Sequence, residues 1–89
     1  YGTLLTGFKD SLEIDGVNGG MGTIFYLDEY AKFHFRAGTV TLLESTLSFK
    51  NTDTGTTNDI CIYMIGTDKL IIQDYITGLI NIWVEIKYY

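Results

Sequence analysis

Residues 59–89 read DICIYMIGTDKLIIQDYITGLINIWVEIKYY. Three apolar runs, 60–65, 70–73 and 79–86, are separated by the short breaks 66–69 and 74–78. Each run is too short for a typical helix and is rich in β-branched and aromatic residues, which pack well on a pleated surface. Gly66-Thr67-Asp68 and Thr77-Gly78 are the residue types that reverse a chain between strands. The segment therefore reads as a three-stranded antiparallel meander. In its last strand Ile80, Ile82, Val84 and Ile86 alternate with Leu79, Asn81, Trp83, Glu85 and Lys87. The first set is a core face at period two. The second sets an indole among polar groups: either an ordinary exposed aromatic or, with Leu79, a contact to another subunit or a ligand.

Upstream, the clearest alternation is KFHFR. Phe33 and Phe35 belong inside, and Lys32, His34 and Arg36 face solvent or a ligand. His34 is the only histidine; it reads as a surface histidine or as a sugar- or carboxylate-binding group working with Arg36. Short strands are expected at 2–8, 11–14, 23–27, 39–43 and 46–49, with turns at 9–10, 37–38 and 44–45 and a polar or single helical turn at 28–31. The stretch DGVNGGMG, 15–22, holds four glycines and reads as a loop rather than a regular element. No helix follows it to make a phosphate cradle. KNTDTGTTN, 50–58, reads as a Thr-rich surface loop. Its Asn51, Asp53 and Gly55 fail the calcium-loop pattern, because the glycine comes early and no glutamate stands at the twelfth position. An irregular calcium site on Asp53 and Asp59 is the remaining alternative.

The expectation is an all-β, small antiparallel β-sandwich, jelly-roll-like, of about eight short strands, with residues 1–89 as one domain. One Trp, seven Tyr, five Phe, ten Gly and no Pro favour short strands and tight turns over helices. A domain of this size buries only about 60–65% of its unfolded surface. Cys61, the only cysteine, cannot pair within the chain and reads as a buried, inert thiol. No Cys/His cluster suggests zinc. Oligomerisation is the remaining usual source of stability for small domains. A net charge of −5, with scattered Lys and Arg, argues against nucleic acid and against an anionic membrane surface. No apolar run approaches the roughly 20 residues needed to cross a bilayer. The chain starts at Tyr1, as expected of a piece of a longer protein.

The Thr/Gly/Asp-rich loop, then DICIY, GTDKLIIQ, a glycine turn and the terminal INIWVEIKYY resemble the C-terminal head domains of bacteriophage tail fibres, tailspikes and neck appendages. The resemblance covers roughly the last 35 residues. It implies a jelly-roll or tumour-necrosis-factor-like sandwich, three copies of which pack around an axis at a fibre tip. It implies an extracellular place on the virion and a host cell-surface glycan or protein as partner, with no cofactor. A pyranose ring packs on an aromatic face while polar side chains meet its hydroxyls. Tyr26, Tyr30, Tyr63, Tyr75 and Trp83, beside Asp28, His34, Arg36 and Asn58, are the groups able to do this. Tyr30, His34, Arg36 and Trp83 are the ligand-binding candidates. A purely structural trimerisation domain is the alternative. Catalysis is not expected: a glycosidase needs two carboxylates about 5–9 Å apart across a cleft, and neither Asp28/Glu29 nor Glu44, Asp74 and Glu85 form a pair by pattern.

Overall fold

The computed structural model describes residues 2–5, 11–16, 18–46, 48–77 and 80–88. Among them are nine strands: β1 (Gly2–Leu5), β2 (Ser11–Asp15), β3 (Gly19–Tyr26), β4 (Glu29–Arg36), β5 (Thr39–Ser45), β6 (Phe49–Lys50), β7 (Ile60–Ile65), β8 (Lys69–Asp74) and β9 (Ile80–Tyr88). They form a five-stranded sheet, β1-β9-β3-β4-β5, and a four-stranded sheet, β2-β8-β7-β6. All pairings are antiparallel except β6 with β7. Ile24, Phe33, Phe35, Val40, Ile82 and Val84 of the first sheet share one core with Phe49, Ile60, Ile62, Leu70 and Ile72 of the second. A face shared in this way is what makes two sheets a sandwich. The expectation of an all-β sandwich of about eight short strands holds, with nine among the described residues. The chain passes from sheet to sheet so that β1 pairs with β9 and β2 with β8, around the plain hairpins β3–β4–β5 and β7–β8.

The meander ends at β8. Strand β9 does not continue beside it but crosses to the other sheet, where it lies between β1 and β3. Both edges of β8 are already taken, by β7 and β2. The crossing begins at Asp74, which is fully buried and accepts the Ile76 N–H at 2.6 Å. That local bond turns the chain out of the strand. The alternation expected for β9 is observed: Ile82 and Val84 are buried, Ile86 packs against the core, and Trp83, Glu85 and Lys87 are exposed.

The glycine-rich stretch is not simply a loop. Gly19 to Gly22 open β3, paired with β4 on one side and, from Gly20, with β9 on the other. Gly20 lies opposite Phe35 and Gly22 opposite Phe33, and both rings are fully buried, 6.1 Å apart between centroids. The Phe33 ring occupies the volume that a side chain at Gly22 would need, and at Gly20 that volume is taken by the Lys87 carbonyl of β9 with the Phe35 ring beside it. The entropy cost of glycine in a strand is thus offset by aromatic packing over it.

Three smaller corrections share a cause. The turn expected at 28–31 shrinks to Leu27-Asp28, because Glu29, Tyr30 and Ala31 pair with β3. The break expected at 44–45 is a continuation of β5 through a bulge, where the register shifts opposite Lys32 and Phe33. Among the described residues of the strand expected at 46–49, Phe49 alone joins a ladder, in parallel with β7. In each case the presence or absence of a pairing strand, rather than local propensity, decides the outcome. Residues 6–10, which include the end of the expected first strand and the 9–10 turn, lie outside the described residues.

The β3–β4 turn holds Leu27 at φ 54°, 84% exposed. This left-handed backbone costs an L-residue about 1–2 kcal/mol. Leu27→Gly is therefore expected to raise the unfolding free energy by about 1 kcal/mol in urea titration. A destabilised variant would contradict that backbone assignment.

Candidate functional site: the outer face of the five-stranded sheet

Alternation in β3, β4 and β9 sends one set of side chains into the core and the other outward, and the pairing arranges the outward set in rows. Trp83, Phe25 and Tyr30 form the first row. Glu85, Thr23 and Lys32 form the second, Lys87, Met21 and His34 the third, and Gly19, Arg36 and Thr39 the last. Trp83 is 50% exposed, Phe25 43% and Met21 47%.

The β5 bulge completes the surface. Leu42 packs against the core while both Leu43 and Glu44 turn outward, since a bulge sets two residues against one partner. Glu44 accepts the Tyr30 hydroxyl and lies 3.9 Å from Lys32 Nζ. The bond to Glu44 raises the Tyr30 pKa, because ionising the phenol would set two negative charges together. Among the described residues the large exposed apolar side chains are Met21, Phe25, Leu27, Leu43, Ile65 and Trp83. All but Ile65 lie on this face or at its hairpin end. Single exposed apolar residues are ordinary, but a cluster on one face marks a contact surface. A cleft of about 430 Å³ lies beside the aromatic row, lined by Met21, Thr23, Lys32, Leu43, Glu85 and Lys87.

All four ligand candidates lie on this face, at its two ends. Tyr30 and Trp83 flank Phe25, about 10 Å apart by strand spacing. His34 and Arg36 lie about 13 and 20 Å along β4 from Tyr30. Of the wider set, Tyr26 packs against the core, Asp28 sits in the hairpin turn, and Tyr63, Tyr75 and Asn58 belong to the other sheet and its loop. Phe25, Met21 and Leu43 were not expected here. TIFYL is apolar throughout, so it does not reveal its outward face, and Leu43 is exposed only because of the bulge. Glu44 and Glu85, the carboxylates of the face, stand three strand spacings apart, about 14 Å. Glycoside hydrolysis uses a pair roughly 5–9.5 Å apart.

The loop between β6 and β7 builds a second polar cluster, over the four-stranded sheet. Its Asp53 accepts the hydroxyl of the buried Tyr75. Asp59 accepts Thr54 Oγ1 at 2.8 Å and lies 3.6 Å from Lys50 Nζ. Thr54 Oγ1 also lies 3.5 Å from Sγ of Cys61, which is buried as expected. Asp53 and Asp59 thus engage separate partners, and no three metal-ligating side chains converge among the described residues. The bond to Asp53, with burial and the carboxylate's charge adding to it, pushes the Tyr75 pKa from 10.0 up to about 12. The folded state therefore keeps a proton that the unfolded chain releases near pH 10. This stabilisation is complete below pH 10 and is lost as pH rises toward 12. Glu13, and then Asp15, hold the Lys69 pKa above its ordinary value as well. Urea melts between pH 8 and 12 should show falling stability, with a shallower fall in Tyr75→Phe; an unchanged slope would remove Tyr75 from the account.

Compared with protein-family models, curated proteins and solved structures, the chain matches none.

Proposed function

We propose that this domain is a binding and assembly module whose working surface is the outer face of the five-stranded sheet. Its ligand is a host cell-surface carbohydrate. One observation carries the reading: the half-exposed Trp83 and Phe25 lie side by side with Tyr30 in their row, and charged side chains follow in the next. A flat aromatic row on a rigid sheet offers sugar rings an apolar platform at little entropic cost, and Lys32 and Glu85 can orient hydroxyls. The resemblance of the C-terminal strands supports a setting at the tip of a phage tail fibre or appendage, as a homotrimer. The reaction class is binding, not turnover.

The second reading is purely structural: copies of the chain would cover the same row, since aromatic residues and Met are enriched in subunit interfaces. Light scattering after size exclusion, with a glycan-binding screen on the same sample, separates the two. Glycan binding lost in Trp83→Ala, with the oligomer mass unchanged, is the result expected of the ligand face. A trimer of about three times the 10.0 kDa chain that falls to monomer in Trp83→Ala would assign the row to assembly instead.

A further inference from the structure

We infer that the end of this face remote from the aromatic row is an anion subsite, built around Arg36, that takes a carboxylate or phosphate group of an acidic surface glycan. The inference rests on the carbohydrate reading above and names the class of glycan.

The charge pattern carries it. The chain has eleven Asp and Glu against six Lys and Arg. With acids in such excess, a cation without a carboxylate beside it is the unexpected case. Lys32, Lys50 and Lys69 each have a carboxylate within reach, at 3.9, 3.6 and 2.8 Å. Among the described residues Arg36 and Lys87 have none, and both are exposed. The register sets them at the same end of the same face. Lys87 and His34 flank Met21, and Arg36 lies two residues beyond His34 along β4. This places the three within about 12 Å of one another.

The shape agrees. Arg36 stands at the corner where the sheet face meets the end of the sandwich, over a cleft of about 630 Å³ that it lines with Asn18, Gly19, Ala37 and Thr67. Small residues form much of this lining: Gly19 lies opposite Arg36 in the ladder, and Ala37 N–H donates to Asn18 O at 2.8 Å to hold the turn. Gly38 packs so closely on Gly66 O that a side chain there would collide, which joins this turn to the β7–β8 turn bearing Thr67. A planar guanidinium at the edge of an open cleft can bind carboxylate or phosphate through two parallel N–H bonds. The Asn18 amide and Thr67 hydroxyl can supply further donors. From the aromatic row to Arg36 the track is about 20 Å long, so one chain could stack sugars at one end and dock an acidic group at the other.

The test uses three soluble probes: oligogalacturonate (carboxylate), poly(glycerol phosphate) bearing sugars (phosphate) and a neutral glucan. Affinities are measured at 50 and 200 mM salt for wild type, Arg36→Gln and Trp83→Ala. Arg36 is exposed, so Arg36→Gln should fold, and its melting curve checks this. At least one acidic probe should bind more tightly than the neutral one. Arg36→Gln should weaken it about tenfold and flatten its salt dependence, with neutral binding unchanged. Which acidic probe responds separates a uronic-type ligand from a phosphate-bearing one. Neutral glucan binding that needs Trp83, with no acidic preference and no effect of Arg36→Gln, overturns the subsite but leaves the carbohydrate reading standing. No binding by any probe overturns both.

Discussion

Replacing Gly20 or Gly22 with alanine is expected to lower the stability of this domain more than any other single methyl group added to it. At Gly22 the new Cβ collides with the tip of the Phe33 ring, 2.7 Å from its Cε1 and closer still to Cζ. At Gly20 it meets the Lys87 carbonyl of β9 and comes within 3.0 Å of Phe35 Cζ. Overpacking a core typically costs 1–3 kcal/mol and occasionally more. Gly20 should lie at or above the top of that range, about 3 kcal/mol, because the obstacle is the backbone of a hydrogen-bonded strand and cannot rotate away. A domain of this length has roughly 5–13 kcal/mol of stability in total. The melting temperature of Gly20→Ala should then fall by about 12–24 °C.

The two sites should respond differently to rescue. Gly22→Ala collides with a side chain, so Phe33→Leu in the same molecule should recover part of the loss, and the two changes should be non-additive. No side-chain replacement should recover Gly20→Ala. Met21→Ala, between the two glycines but facing outward, should cost less than about 1 kcal/mol. If Gly22→Ala melts within a few degrees of wild type, the packing of Phe33 over the glycine is wrong. The register that defines the outer face would then be wrong as well.

The largest functional effect is expected from Trp83→Ala. Half of the indole is already in water, so its removal should change stability by about 1 kcal/mol or less. If the aromatic row is the platform, affinity for the bound glycan should fall by about thirtyfold or more, the size of a contact hot spot of roughly 2 kcal/mol. Phe25→Ala should move affinity the same way. Ile65→Ala is the control, because Ile65 is as exposed as Trp83, at 54%, but belongs to the other sheet. A general loss of surface hydrophobicity would move all three variants together. Trp83→Ala that binds glycan as wild type does would remove the face from the proposal.

Much of the architecture was legible because it depends on local alternation. Ile82 and Val84 against Trp83 and Glu85, and Phe33 and Phe35 against Lys32, His34 and Arg36, read correctly at period two. A half-buried strand must place successive side chains on opposite faces whatever its neighbours are. The limits of β7 and the Ala37-Gly38 turn read equally well. Ala37 at φ 48° and Gly38 at φ 94° form the tight reversal that two such residues between alternating strands suggest.

The sequence by itself determined that the chain is a β-sandwich and which residues of its strongest strands face inward, Phe33 and Phe35 among them. Tertiary structure decided which strands became neighbours. It moved β9 away from β8 to a place between β1 and β3, made a strand of glycines by laying Phe33 and Phe35 across them, and bulged β5 so that Leu43 and Glu44 both turn outward. The candidate site depends on those choices, since Trp83, Phe25 and Tyr30 come from three strands and form a row only through the register. Side-chain alternation is a property of one strand and is written in its own residues. Hydrogen-bond partnership is a property of two, and backbone groups are chemically alike, so the partner is selected by packing between residues far apart in the chain.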